Sequence, residues 1–249
     1  MTPALLPLFQ KWILDRKKEL EALRDYPVER LTEIIGEVGF SCNFCARCCT
    51  RAFNGHVLLL DEDAERIRAI DPAAIEPPPE FDLCDQHGTF YVSGYTIRAQ
   101  PGKSGECHFL MDGRCRIYPD RPLVCRVYPY MLHREPDEDG VVDWRQVSGL
   151  DQHGEYNRPI PPDVAMGIAC EVKAFECAVL LHEIAFLEYA GGYFSAHDLR
   201  HVRKRFDDGV RALRAGAPVR VNVFFGGTFE SWVMRGGKCT PSAEKRQGV

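Results

Sequence analysis

The segment Phe40-Ser41-Cys42-Asn43-Phe44-Cys45-Ala46-Arg47-Cys48-Cys49 sets four cysteines in the pattern C-x2-C-x2-C-C. Two-residue gaps let successive thiolates curl around one metal ion. A tight loop at that spacing turns both side chains inward and leaves backbone N–H groups free to hydrogen-bond sulfur. Cys48 and Cys49 are the unusual part. Adjacent side chains diverge in most backbone conformations, so both serve one mononuclear site only with a local turn; otherwise one ligates and the other reaches a neighbouring iron or zinc. Further along, Cys107, Cys115 and Cys125 follow at gaps of seven and nine residues, neither diagnostic alone. The two clusters hold seven thiols, and an eighth would complete two four-thiolate sites, for which Cys170 is the candidate. Cys170 precedes Cys177 by nearly two helical turns, so both project from about one face and only the one nearer the loops should reach the site.

Six arginines, Arg47, Arg51, Arg114, Arg116, Arg121 and Arg126, lie within or beside the two clusters although the chain is acidic overall. Positive neighbours favour the deprotonated thiol and can hold an anionic group against a metal; the bland reading is that each is a solvated surface charge. His108 follows Cys107 directly, but adjacency on a strand puts it on the opposite face, so it reads as structural. Cys84, Cys177 and Cys239 read as bystanders. Other chemistries fail on spacing. His182-Glu183 lacks the second histidine of a zinc-protease helix, because position 186 is Phe. Gly102-Lys103-Ser104 lacks the glycine spacing of a phosphate-binding loop and precedes a hairpin rather than a helix.

The chain has 249 residues, Lys+Arg 31 against Asp+Glu 36, a net charge of −5 and 45% hydrophobic residues. That length buries enough surface to hold a core without disulfide staples, so the cysteines call for another explanation. Mild acidity argues against nucleic acid as a partner. The N-terminus lacks the pattern of a signal peptide, and no apolar run is long enough to span a membrane. The expectation is a cytoplasmic protein, where clustered thiols bind metal or do redox work more often than they form disulfides.

The elements that must position the cysteines follow from periodicity. Leu5, Leu6, Phe9, Trp12, Ile13, Leu20 and Leu23 predict a helix over about 3–25, and a second helix over about 28–36 ends near Gly36 and Gly39. The first cluster then sits in a loop after a helix. Residues 55–60 predict a strand, with Asp61 capping a helix that Asp71-Pro72 stops. Ser93-Gly94 and Asp112-Gly113 predict two hairpins, the second drawing Cys107 and Cys115 together, while Pro119, Pro122 and Pro129 break the segment carrying Cys125 into turns. Residues 134–162 lack periodicity and read as a surface excursion. Val164, Ile168, Val172, Phe175, Val179, Ile184 and Leu187 predict a long buried helix over 162–189. Ser195 with Asp198 resembles a capping box opening another helix, and residues 218–225 a last strand before a frayed tail.

Taken together, FSCNFCARCCTR followed by ECHFLMDGRCRIYPDRPLVCRVYPY resembles the YkgJ-type cysteine-cluster family, the CxxCxxCC zinc- or iron-chelating domain. The matching residues are Cys42, Cys45, Cys48, Cys49, Cys107, Cys115 to Tyr118, Arg121-Pro122, and Cys125-Arg126 through Tyr128-Pro129, with Cys170 a late member. Family members often carry Gly where this chain has Ala46. The resemblance implies metal or iron–sulfur binding, with Arg116, Tyr118, Arg121 and Arg126 as candidate cofactor-binding residues. A related domain occurs in flagellin lysine N-methylases, which implies S-adenosylmethionine as a further candidate cofactor. No motif supports it: the glycine pairs at 191, 226 and 236 do not follow a strand and open a helix.

The expected fold is a single α+β domain of helices packed on short β-hairpins with cysteine-rich metal-binding loops. Its expected parts are an N-terminal helical segment (1–37), the cysteine-cluster region (38–130), a surface excursion (131–162), a C-terminal helical part (163–235) and a tail (236–249). A ferredoxin run would place its fourth cysteine after three residues with Pro following, and zinc ribbons show two separated C-x2-C pairs; neither occurs. The vicinal pair and the thiol number place an iron–sulfur cluster or multinuclear iron site ahead of zinc, with an electron or protein partner. The alternatives are an adenosylmethionine-dependent lysine N-methylase-like enzyme and a zinc-stabilised binding module without catalysis.

Overall fold

The computed structural model describes residues 6–100, 105–131, 146–147 and 150–242. The chain is α+β, with its cysteines concentrated in loops. It divides into two compact units: Met1–Arg16, Leu58–Arg98 and His182–Val249 form the first, and Lys17–Val57 with Ala99–Leu181 the second. No helix among the described residues is long and apolar enough to cross a membrane. Gly102-Lys103-Ser104 lie outside the described residues.

The first unit is built on a five-stranded sheet in the order Lys238–Pro241, Thr228–Arg235, Val219–Phe225, Phe90–Val92, Leu83–Cys84. Val219–Phe225 runs parallel to Phe90–Val92, with Val221 opposite Phe90, and antiparallel to Thr228–Arg235. A three-stranded sheet places Tyr95–Ile97 between Leu58–Leu59 and Ile75–Glu76. Phe90, Tyr91, Tyr95, Phe194 and Phe229 are buried in its core, with Tyr91 edge-on to Phe194 (4.9 Å) and Phe229 (5.1 Å). Such edge-to-face pairs add to the area they bury.

Several expectations change here. Phe90–Val92 and Tyr95–Ile97 do not form a hairpin about Ser93-Gly94; they belong to different sheets. The reason is local: the Ser93 N–H donates to Asp82 Oδ2 (2.7 Å) and the Ser93 carbonyl is bound by His182 Nε2, so the corner is held from both sides and turns the chain between sheets. Asp61 is the first residue of the helix Asp61–Ile70 rather than its cap. Its Oδ2 accepts the Gly226 N–H at 3.0 Å. Asp71 ends that helix as expected, its side chain accepting from Ala73 N (2.9 Å). The glycine pairs at 226 and 236 are hairpin turns joining Val219–Phe225, Thr228–Arg235 and Lys238–Pro241, two strands beyond the last one read from the sequence.

The long helix is Pro162–Ala196. Its buried stripe runs through Ala165, Ala169, Val172, Leu180, Ile184 and Ala190, while Val164 is 47% exposed, so the face is rotated from the one the larger side chains suggested. Ser195 and Asp198 close this helix rather than open the next. Asp198 is left-handed (φ 53°) and Leu199 N–H reaches Phe194 O (2.8 Å), the Schellman pattern of a helix end. The following helix starts at Arg203, with Val202 before it and no side-chain cap.

In the second unit, Leu20 and Leu23 at the end of Pro7–Asp25, and Leu31 and Ile35 of Val28–Val38, are buried together with Ala165, Ala169 and Val172. Lys173 Nζ donates to the carbonyls of Arg24 (2.8 Å) and Tyr26 (2.6 Å), satisfying the orphan acceptors at a helix C-terminus. The cysteine-bearing pieces are short: Arg47–Cys49, Leu110–Met111 paired with Arg114–Cys115, and Leu123–Val127. A ribbon of Tyr130–Met131 and Gln146–Val147 completes the unit.

Candidate metal centre

The first cysteine loop begins where Val28–Val38 stops at Gly39. Gly39 is left-handed (φ 54°), its N–H returns to Ile35 O (3.0 Å), and a Cβ there would lie 2.2 Å from the Arg158 carbonyl oxygen. Only glycine fits that approach. Ser41 then exchanges two backbone hydrogen bonds with Glu155 (2.8 and 2.9 Å), Asn43 Nδ2 donates to Gly154 O (3.3 Å), and an Arg47 guanidinium N–H donates to Gln152 O. Residues 150–158, expected to run over the surface, thus strap the loop. Behind the strap, His153 is buried among the rings of Phe40 (5.5 Å), Phe53 (4.9 Å) and Tyr128 (5.1 Å). A Cβ on Gly154 would strike the Phe40 ring at 2.3 Å, which locks the strap's register.

Cys45 lies between two left-handed residues, Phe44 (φ 59°) and Ala46 (φ 60°). For a side-chain-bearing residue that conformation costs about 1–2 kcal/mol, which explains why glycine is natural at position 46. Ala46→Gly is expected to raise the stability of the metal-free protein by about 1 kcal/mol, the relieved strain outweighing the added freedom of the unfolded chain. Urea unfolding of the apoprotein checks this; an unchanged or lower midpoint counts against a strained loop.

The loop closes with the 3-10 turn Arg47–Cys49, held by Cys49 N–H to Ala46 O (3.1 Å) and by Asn54 Nδ2 to Cys48 O (3.0 Å). This is the local turn that adjacent cysteines need. Instead of diverging, the two thiols act on each other, which draws the Cys48 thiol below its ordinary pKa and pushes Cys49 far above it.

The second cluster is tied to the first through the backbone. Cys107 N–H donates to Cys49 O (2.8 Å), Arg51 N–H to Gly105 O (2.6 Å), and Gln100 Nε2 to Cys107 O (3.0 Å). The Asp112-Gly113 hairpin forms as expected, pairing Leu110 with Cys115. Both turn residues have positive φ (50° and 75°), as a two-residue type I′ turn requires. After Pro119, Pro122 precedes Leu123–Val127, which carries Cys125 inward. Burial is the main cause that pushes Cys107 up to about 11 and raises Cys115 and Cys125.

The thiols form two overlapping neighbourhoods. Cys48 feels the charges of Cys42, Cys125 and Cys45. Cys49 acts on Cys107, Cys115 and Cys125, and Cys107 and Cys115 act on Cys125 as well. Among the described residues no group of three His, Cys, Asp or Glu is arranged to hold a metal ion. The two observations are compatible, because charge acts over a longer range than a metal–sulfur bond of about 2.3 Å. The sulfurs are gathered, not closed into a shell. Cys170 is exposed on Pro162–Ala196, and none of the perturbed thiols of the two clusters feels it. Cys84 belongs to the first unit, its thiol pushed up to about 12 by burial and the Asp85 charge.

The arginines divide as well. Arg121 offsets thiolate charge at Cys49, Cys115 and Cys125 while its guanidinium covers the Tyr118 ring (4.0 Å). Arg116 acts on Cys115 and Arg51 on Cys107. Arg126 pairs with Glu171 (3.5 Å), and Arg114 covers Phe44 (5.4 Å), whose ring leans on Tyr118 (5.4 Å). The cation nearest several thiols is therefore Arg121, a distinction that sequence proximity to the cysteines does not carry. The strap was missed for the same reason: its contacts are mainly backbone hydrogen bonds, which leave no residue-type signature.

The raised thiols fix a pH dependence. A thiol held above its ordinary pKa is protonated at neutral pH, so a metal ion must displace its proton to bind. Affinity therefore falls as pH falls, by about tenfold per pH unit for each proton displaced. Zinc titration in two buffers of different ionisation enthalpy counts those protons; binding without proton release would contradict ligation by Cys107, Cys115 and Cys125.

Residues 41–148 match the family model CxxCxxCC, described as "Putative zinc- or iron-chelating domain". Neither a curated protein nor a solved structure matches the chain.

Proposed function

We propose, from the premise that residues 41–148 belong to the CxxCxxCC family of zinc- or iron-chelating domains, that this metal-binding protein carries an iron–sulfur or multinuclear iron site with a redox or cofactor-handling role in the cytoplasm. The observation that supports it is the vicinal pair: Cys48 and Cys49 act on each other, Cys48 also feels Cys42, Cys45 and Cys125, and Cys49 acts on Cys107, Cys115 and Cys125. Adjacent residues serving two thiol groups favour two metals, or one cluster, over a single tetrahedral ion. In this reading Cys49, Cys107, Cys115 and Cys125 supply a four-thiolate site. Cys42, Cys45 and Cys48 supply three thiolates, with Cys42 and Cys45 exposed and a fourth position left to an outside ligand.

The bound iron would supply one-electron chemistry or Lewis acidity, as its nuclearity dictates. The chain's own residues do the rest. Arg121 and Arg116 balance thiolate charge, and the partial burial of Cys107 and Cys125 limits water at the four-thiolate end. Anaerobically purified protein is expected to be brown and to bleach reversibly with dithionite. A colourless protein whose spectrum does not respond to dithionite would overturn the redox reading.

A further inference from the structure

A cavity of about 230 Å³ opens in the first unit, and no cysteine lines it. Its floor is polar although the core around it is aromatic. Ser231 Oγ donates to Asn222 Oδ1 (2.8 Å), Asn222 pairs in register with Tyr91 across the parallel strands, and Tyr91 O–H donates to Asp85 Oδ2 (2.8 Å). Asp85 Oδ1 accepts the N–H groups of His87 (2.8 Å) and Thr89 (3.0 Å). Asp85, Tyr91 and Asn222 are all buried. A buried polar chain of this kind is stable only when each member is satisfied, and it then fixes the shape of the space it lines.

The mouth has the opposite character. His87, His197 and Arg220 line it and are exposed. The His197 ring stacks on Tyr193 (4.1 Å) with its Nδ1 2.9 Å from the Tyr193 carbonyl oxygen, which fixes the ring's orientation. Arg220 has no carboxylate partner among the described residues. Asp85, the carboxylate in the cavity lining, has its oxygens taken by three donors. A cavity with a satisfied polar floor carrying the hydroxyls of Thr89 and Ser231, and an exposed guanidinium and two imidazoles in its lining, is complementary to a small oxyanion that bears a hydroxyl group.

We propose that this cavity binds a small hydroxylated oxyanion, a carboxylate or a phosphate ester, with its anionic end against Arg220 and its hydroxyl toward Thr89 and Ser231. Its lining contains no residue of the two cysteine clusters and makes no use of a metal. Calorimetric titration of the full-length protein with L-malate and with glycerol 3-phosphate, at about 0.15 M salt, tests it. Saturable binding of either probe is expected, the better one identifying the head group, with Arg220→Ala weakening it tenfold or more and Arg214→Ala, an exposed arginine outside the cavity, leaving it unchanged. Ser231→Ala is expected to weaken binding several-fold. No saturation by either probe below about 10 mM, or equal binding by the Arg220→Ala protein, would overturn the proposal.

Discussion

Cys125→Ser is expected to cost at least 100-fold in metal affinity, about 3 kcal/mol, and to leave the purified protein with little bound metal. Cys125 acts on Cys48 and is itself acted on by Cys49, Cys107 and Cys115, so it is a thiol shared by both neighbourhoods. Perturbing an outer-shell partner of a metal ligand already costs 10–100-fold, and removing the ligand itself costs more. Serine keeps the volume close to that of cysteine, so the short helix Leu123–Val127 should still form. Metal analysis together with circular dichroism checks both parts, and Cys177→Ser, on the long helix away from the clusters, should retain full loading. Full loading in the Cys125→Ser protein would remove this residue from the centre.

Metal removal is the second large effect. Around the clusters the second unit holds its shape with elements of two to five residues and with backbone bonds between loops. Such pieces have little intrinsic stability, since isolated short helices and two-stranded ribbons are marginal in water. Binding energy delivered to them is folding energy. Chelation is therefore expected to lower the melting temperature by roughly 10–20 °C, the shift that several kcal/mol makes in a chain of this size. Scanning calorimetry of loaded and chelated protein measures it. An unchanged transition would mean that the loops are preformed and the metal is a passenger.

What the sequence reveals and conceals follows from the range of the interactions involved. The Asp112-Gly113 hairpin is written in two adjacent residues whose backbone preferences suit a type I′ turn, and the helix end at Gly39 in one glycine. The thiol clusters are legible because ligand spacing is itself the signal. Ser93-Gly94 carries the same short-range mark as a hairpin, yet Asp82 and His182, distant in sequence, turn it into a corner between sheets. Ser195 and Asp198 have the composition of a helix start, but Asp198 adopts the left-handed conformation of a helix end. The buried stripe of the long helix runs through Ala165 and Ala169, residues too small to stand out from their larger neighbours. The polar residues from Ser231 to Asp85 meet through the parallel pairing of Asn222 with Tyr91, a long-range contact with no local pattern.

The vicinal cysteines show both sides of this. Their adjacency raises the question of one metal or two, while the 3-10 turn that brings their sulfurs together, and the left-handed Ala46 before it, are backbone outcomes. An alanine where glycine is the natural choice is a sequence trace of that strain, legible once the φ value is known.

In the proposed reading, thiols of both clusters hold more than one iron, as a single cluster or as two neighbouring sites. Iron, zinc and acid-labile sulfide per chain, measured on anaerobically purified protein, test it most directly. Two or more irons per chain with sulfide, and little zinc, are the predicted result; a single zinc ion with neither iron nor sulfide would contradict it.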